Sequence, residues 1–138
     1  FDAGNVVIAL AALPKLCGQR GLDALCRHPG WLELEERVRA CVQRLEPRGL
    51  SMVLHSMARL HWHDWPLISS IIVVAEKRIA DFGTTDIAKV SWALAKLGVV
   101  DGARGLWAVL SKEGARKCSS GSFIDISMTA WAFTSVGL

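Results

Sequence analysis

The segment DIAKVSWALAKLG, Asp86 to Gly98, recurs in altered letters as DISMTAWAFTSVG, Asp125 to Gly137. A repeat at that spacing constrains the fold more than composition does, because each copy has to be one structural unit that stacks on the next. Upstream, GLSMVLHSMARLH from Gly49 to His61 stands 37 residues before Asp86, and NVVIALAALPKLC from Asn5 to Cys17 stands a further 44 before that. The copies divide the chain into units of about 5–48, 49–85, 86–124 and an incomplete 125–138.

The columns of the four copies have helical spacing. Val6, Leu50, Ile87 and Ile126 share one column. Ala9, Val53, Val90 and Thr129 follow three residues on, then Leu13, Met57, Leu94 and Phe133, then Leu16, Leu60, Leu97 and Val136. Positions i, i+3, i+7 and i+10 form one stripe of an α-helix, so every copy is expected to bury the same face. A neighbouring stripe sets small residues around a large one: Ser51, His55 and Ala58; Ala88, Trp92 and Ala95; Ser127, Trp131 and Thr134. Small residues let helices approach closely, and this stripe predicts that Trp92 and Trp131 are mostly buried between consecutive repeats.

Second amphipathic segments lie between these A-type helices. They are WLELEERVRACVQRL from Trp31, WPLISSIIVVAEKRIADF from Trp65 and GLWAVLSKEGARK from Gly105. Asp86 and Asp125 stand where N-caps are expected, and Gly98 and Gly137 where a helix needs a left-handed stop. The expected fold is therefore all-α, an α-solenoid of stacked antiparallel helical hairpins, about three and a half repeats long. The start at Phe1 and the stop just after a helix pattern suggest a piece of a longer protein.

Hydrophobic residues make up 51% of the 138, enough for a real core. The net charge of +3 permits an anionic partner without requiring one. PLISSIIVVA, Pro66 to Ala75, is far shorter than a membrane span and reads as a buried helix. Cys17, Cys26, Cys41 and Cys118 form no CxxC pair and are expected to be reduced thiols in the core. In HWHDW, His61 to Trp65, the two histidines have no further ligand nearby, so a turn that tucks Trp62 and Trp65 onto the core is expected rather than zinc, with base stacking the alternative. No phosphate loop, nucleophile elbow or paired catalytic carboxylates appear, so neither an enzyme nor a cofactor is expected.

A helical hairpin of 37 to 39 residues whose first helix reads VSWALAKLG resembles the octotricopeptide repeat, and the related repeats of organellar RNA-binding proteins that carry a RAP domain. Val90, Trp92, Ala93, Leu94, Ala95, Lys96, Leu97 and Gly98 carry the likeness, echoed by Trp131, Ala132, Phe133, Val136 and Gly137. The second copy departs from the pattern with His55 for Trp92 and His61 for Gly98, and the first has Pro14 where the third has Ala95. The resemblance implies a non-catalytic module in a mitochondrion or chloroplast. Such a module would bind single-stranded RNA or organellar rRNA in transcript stabilisation, processing, translation or ribosome assembly.

With two stripes buried, a third face of each A-type helix stays open. Its column Lys15, Arg59, Lys96 and Ser135 places three cations one repeat apart, a ladder that could follow phosphates. The dipole of each helix C-terminus would also favour such cations. Two turns earlier stand Ile8, Met52, Lys89 and Met128, followed by Ala12, Ser56, Ala93 and Ala132. Lys89, Met52, Met128 and Ser56 join the candidate RNA contacts, as varying side chains framed by small ones. The alternative is a protein-interaction scaffold of armadillo or tetratricopeptide type, or a surface that serves other proteins of a ribonucleoprotein.

Overall fold

The computed structural model describes residues 2–18 and 21–138, among which eight α-helices and no strand occur. They are α1 (Ala3–Cys17), α2 (Gly21–Leu25), α3 (Pro29–Cys41), α4 (Pro47–Leu60), α5 (Trp65–Arg78), α6 (Thr84–Lys96), α7 (Arg104–Lys117) and α8 (Phe123–Val136). The A-type helices are α1, α4, α6 and α8, and the longer helices between them are α3, α5 and α7. The short α2 lies only in the first unit and accounts for its longer spacing of 44 residues.

Local chemistry sets the helix ends. Asp2, Asp64 and Ser122 cap α1, α5 and α8, each accepting a backbone N–H three residues on, while Pro29, Pro47 and Pro66 occupy first-turn positions that need no N–H. Asp86 and Asp125 are not N-caps as expected. The helices begin earlier, so these two sit at the third helical position, and their carboxylates accept the backbone N–H of Gly83 at 3.2 Å and of Ser122 at 3.3 Å. Gly98 and Gly137 have φ of 70° and 78°, the left-handed stops expected of them. His61 takes the same conformation, φ 56°, at the end of α4, where a Cβ makes it unfavourable. Pro14 lies in the last turn of α1, where the helix carries on to Cys17.

The A-type helices pack in chain order, α1 on α4, α4 on α6 and α6 on α8. Behind them α5 packs on α7, and the contacts of α4 with α5 and of α6 with α7 tie the two rows together. The predicted core stripe is buried in the central helices: Leu50, Val53, Met57 and Leu60 in α4, and Ile87, Val90 and Leu94 in α6 with Leu97 at its C-cap. It frays at the outer two, where Leu16 is 78% and Ile126 46% exposed. A helix flanked on one side only cannot cover its whole stripe. Small buried residues occupy both flanks of the central helices, Ser51 and Ala58 on one side of α4 with Ser56 on the other, and Ala88 and Ala93 on α6.

Two polar devices recur between units. At the N-terminal ends of the A-type helices, Ser51 Oγ donates to Asp86 at 2.9 Å, and one unit later Thr85 Oγ1 donates to Asp125 at 3.1 Å. At the ends of the second helices, Arg78 donates to the Leu45 carbonyl at 2.6 Å, and Lys117 donates to the carbonyls of Ala80 and Phe82 at 2.8 and 2.6 Å. In each case a cation of one unit satisfies carbonyls that the previous unit's helix end leaves open.

The tryptophans divide into two groups. Trp31, Trp62 and Trp107 are buried. Trp31 and Trp62 meet edge to face at 4.9 Å, while Trp107 meets Phe133 at 5.0 Å and donates its indole N–H to the Val99 carbonyl. Against expectation, Trp65 is 51% and Trp131 44% exposed, whereas Trp92 is mostly covered and packs against the core, as expected. Among the thiols, all free, only Cys41 is buried, so the expectation of four core cysteines fails for Cys26 and Cys118, which are exposed, and in part for Cys17.

Replacing Trp107 with Ala is expected to cost on the order of 3 to 5 kcal/mol in a urea titration, and Trp131 with Ala less than about 1 kcal/mol, because only the first opens a cavity. In the same assay His61→Gly should stabilise the chain by up to about 1 kcal/mol, since glycine adopts the left-handed stop without the Cβ clash.

Candidate functional site

Opposite the core stripe, each A-type helix presents a fourth face. By helical register it is built of Gly4, Ile8, Ala11 and Lys15 on α1; Arg48, Met52, His55 and Arg59 on α4; Thr85, Lys89, Trp92 and Lys96 on α6; and Ile124, Met128, Trp131 and Ser135 on α8. None of these sixteen residues is buried. Five are cations and none is a carboxylate, although the chain as a whole holds 13 acidic residues against 16 basic ones. The reason is local: an A-type helix places its acids at or before its first turn, where Asp2, Asp86 and Asp125 accept backbone N–H groups and Glu46 stands at the N-cap position.

Rings and cations run along this face from helix to helix. His55 of α4 and Trp92 of α6 lie 4.9 Å apart between centroids. The Lys96 ammonium sits 5.6 Å from the Trp92 ring and 4.9 Å from the Trp131 ring on α8, so one cation bridges two indoles. Burial, with the nearby Lys89 and Arg59 charges, pulls the His55 pKa down to about 4. The imidazole is therefore neutral at pH 7, an aromatic surface rather than another charge.

The predicted ladder residues Lys15, Arg59 and Lys96 are all exposed, and Lys89, Met52 and Met128 are partly covered on the same face. Arg59 and Lys89 lie within electrostatic range of His55. Ser56 does not belong with them: it is 3% exposed and donates its hydroxyl to the Met52 carbonyl of its own helix. Its column, with Ala93 and Ala132 also buried, is a flank of close helix packing rather than a reading surface. The sequence reading overlooked Arg48, His55, Trp92 and Trp131 as surface residues. The signal was present in the column Ala11, His55, Trp92 and Trp131, which lies at the rim between the flank and the open face.

The other conspicuous features are structural. In HWHDW, His61 ends α4, Trp62 is buried, and Asp64 caps α5 while pairing with Arg39. Burial works against the charge of Asp64, yet the Arg39 guanidinium and the Leu67 N–H hold its carboxyl below the usual range. Trp65, the exception, lies over Gly102, where a Cβ would come within 2.5 Å of its ring. A cavity of about 230 Å³ between α6, α7 and α8 is lined mainly by apolar and small residues such as Ile87, Gly114 and Ile126, and the carboxylate it meets, Asp125, is engaged by Thr85 and Ser122. Among the described residues no group of His, Cys, Asp or Glu could hold a metal ion, and no helix is long and apolar enough to cross a membrane.

No family model, curated protein or solved structure matches the chain.

An NMR titration should find the His55 imidazole protonating near pH 4, well below the ordinary histidine value of about 6.5. Between those two values the unfolded chain takes up a proton that the folded one refuses. The stability present above pH 6.5 is therefore expected to fall as the pH drops towards 4, and to fall less steeply in His55→Gln.

Proposed function

We propose that this chain is a stretch of α-solenoid that binds single-stranded RNA along the open face of its A-type helices. One observation carries the proposal: a face built from four helices holds five cations, a partly exposed row of His55, Trp92 and Trp131, and no carboxylate. A strand of RNA offers phosphates for the cations and flat bases for the rings, and single-strand binding surfaces combine these two attractions. The order of packing, each A-type helix on the next with the second helices behind, supports the solenoid reading.

The octotricopeptide-like identity, and with it a mitochondrial or plastid setting, rests on the resemblance of VSWALAKLG and its echoes. The role that follows is positioning or protecting an RNA segment, with no reaction carried out by these residues. One observation favours a protein partner instead: Ile8 and Ile124, on the same face, are 65% and 67% exposed. Those two isoleucines lie on the outermost helices, whereas Arg48, Arg59, Lys89, Lys96, His55 and Trp92 occupy the two central ones.

Mobility-shift assays with single-stranded RNA over a range of salt concentrations test the proposal. In the variant with Lys15, Arg59 and Lys96 all changed to Ala, binding should weaken by similar factors for all sequences. The slope of log affinity against log salt should flatten by about 2, since each lost phosphate contact removes ~0.7. An unchanged slope rules out the ladder.

A further inference from the structure

We propose that Trp131, with the Lys96 ammonium held between it and Trp92, is a base-stacking subsite, where a nucleobase lies on the exposed indole and the adjoining phosphate meets Lys96. The subsite presupposes the RNA reading above and adds to it a place where bases, and not only phosphates, are held.

Three features point there. First, Trp131 leaves 44% of its surface in solvent on a face that bears cations, and an exposed indole gains by being covered with another flat ring. Second, Trp92, the equivalent residue with helices on both sides, packs against the core yet keeps a minor part of its surface in solvent on the same face, so the column opens there too, less than at Trp131 on the outermost helix. Third, the Lys96 ammonium lies 4.9 Å from the centre of the Trp131 ring and 5.6 Å from that of Trp92, so a cation stands within a nucleotide's reach of the exposed indole surface. A nucleotide presents a π face and an anion joined by a short sugar link, which matches an exposed indole with an ammonium close by. An acidic peptide would satisfy the ammonium and leave the indole uncovered. His55, neutral and set against Trp92, extends the aromatic row one helix further without adding charge.

Because stacking is indifferent to base identity while depending on the ring, the subsite should favour bases over bare backbone without choosing among sequences. The test uses the full chain, fluorescence anisotropy, a labelled oligoadenylate, and an abasic oligonucleotide with the same number of phosphates. Trp131→Leu, which keeps an apolar side chain but has no π face, should bind the oligoadenylate roughly tenfold more weakly, as loss of one stacked base does, with its salt slope unchanged. Its affinity for the abasic strand should stay within about twofold of wild type, and Trp131→Phe should recover most of the loss for oligoadenylate. Circular dichroism spectra matching wild type would exclude misfolding as the cause. If Trp131→Leu binds oligoadenylate as well as wild type does, the subsite is wrong while the phosphate ladder stands. If wild type binds neither strand at low salt, the RNA reading fails and the subsite fails with it.

Discussion

A central A-type helix has only one face to spare. Its back packs on the second row, and its two flanks lie against the A-type helices before and after it. The flanks must be small for backbones to come close, which is why Ser51, Ser56 and Ala58 of α4, and Ala88 and Ala93 of α6, are buried beside the large core residues. Charge and variety are left to the fourth face, and its chemistry is the part of the repeat that can differ without disturbing the stack.

The same constraint makes the face basic. A helix N-terminus attracts carboxylates and its C-terminus attracts cations, so acids gather at the start of each A-type helix and Lys15, Arg59 and Lys96 at the ends. Asp86 and Asp125 are drawn further inward, each bound to a backbone N–H of its own helix start and to a hydroxyl of the preceding A-type helix. Stacking therefore draws the two carboxylates within the A-type helices to the helix starts, away from the open face, where the cations lie. A surface of that sign arises from the packing itself, before any ligand is considered.

Both inter-unit devices set register as well as adding hydrogen bonds. A hydroxyl-to-carboxylate clasp at one end of the A row and a cation-to-carbonyl clasp at the end of the second row each tie a unit to its predecessor. Holding both ends aligns equivalent positions from helix to helix. It is this alignment that brings Lys96 of α6 against Trp131 of α8, and His55 of α4 against Trp92.

The sequence alone determined the helical character, the core stripe of α4 and α6, and the glycine stops at Gly98 and Gly137, because each depends on periodicity or on the conformational freedom of one residue. It also put Lys15, Arg59 and Lys96 on an open face, since residues nine positions past the core column lie almost opposite it. The short α2 gave no such signal, being too brief to show a period. Periodicity could not decide the residues at the rim. Ser56 and Trp131 lie at angles where a helix meets its neighbour or misses it, and a few tens of degrees of packing rotation reverse their fates. Tertiary structure settled both: it buried Ser56 at a close helix contact and left Trp131 half in solvent beside a lysine from another helix, because the neighbouring backbone, rather than the residue's own chemistry, determines which side of the rim is covered.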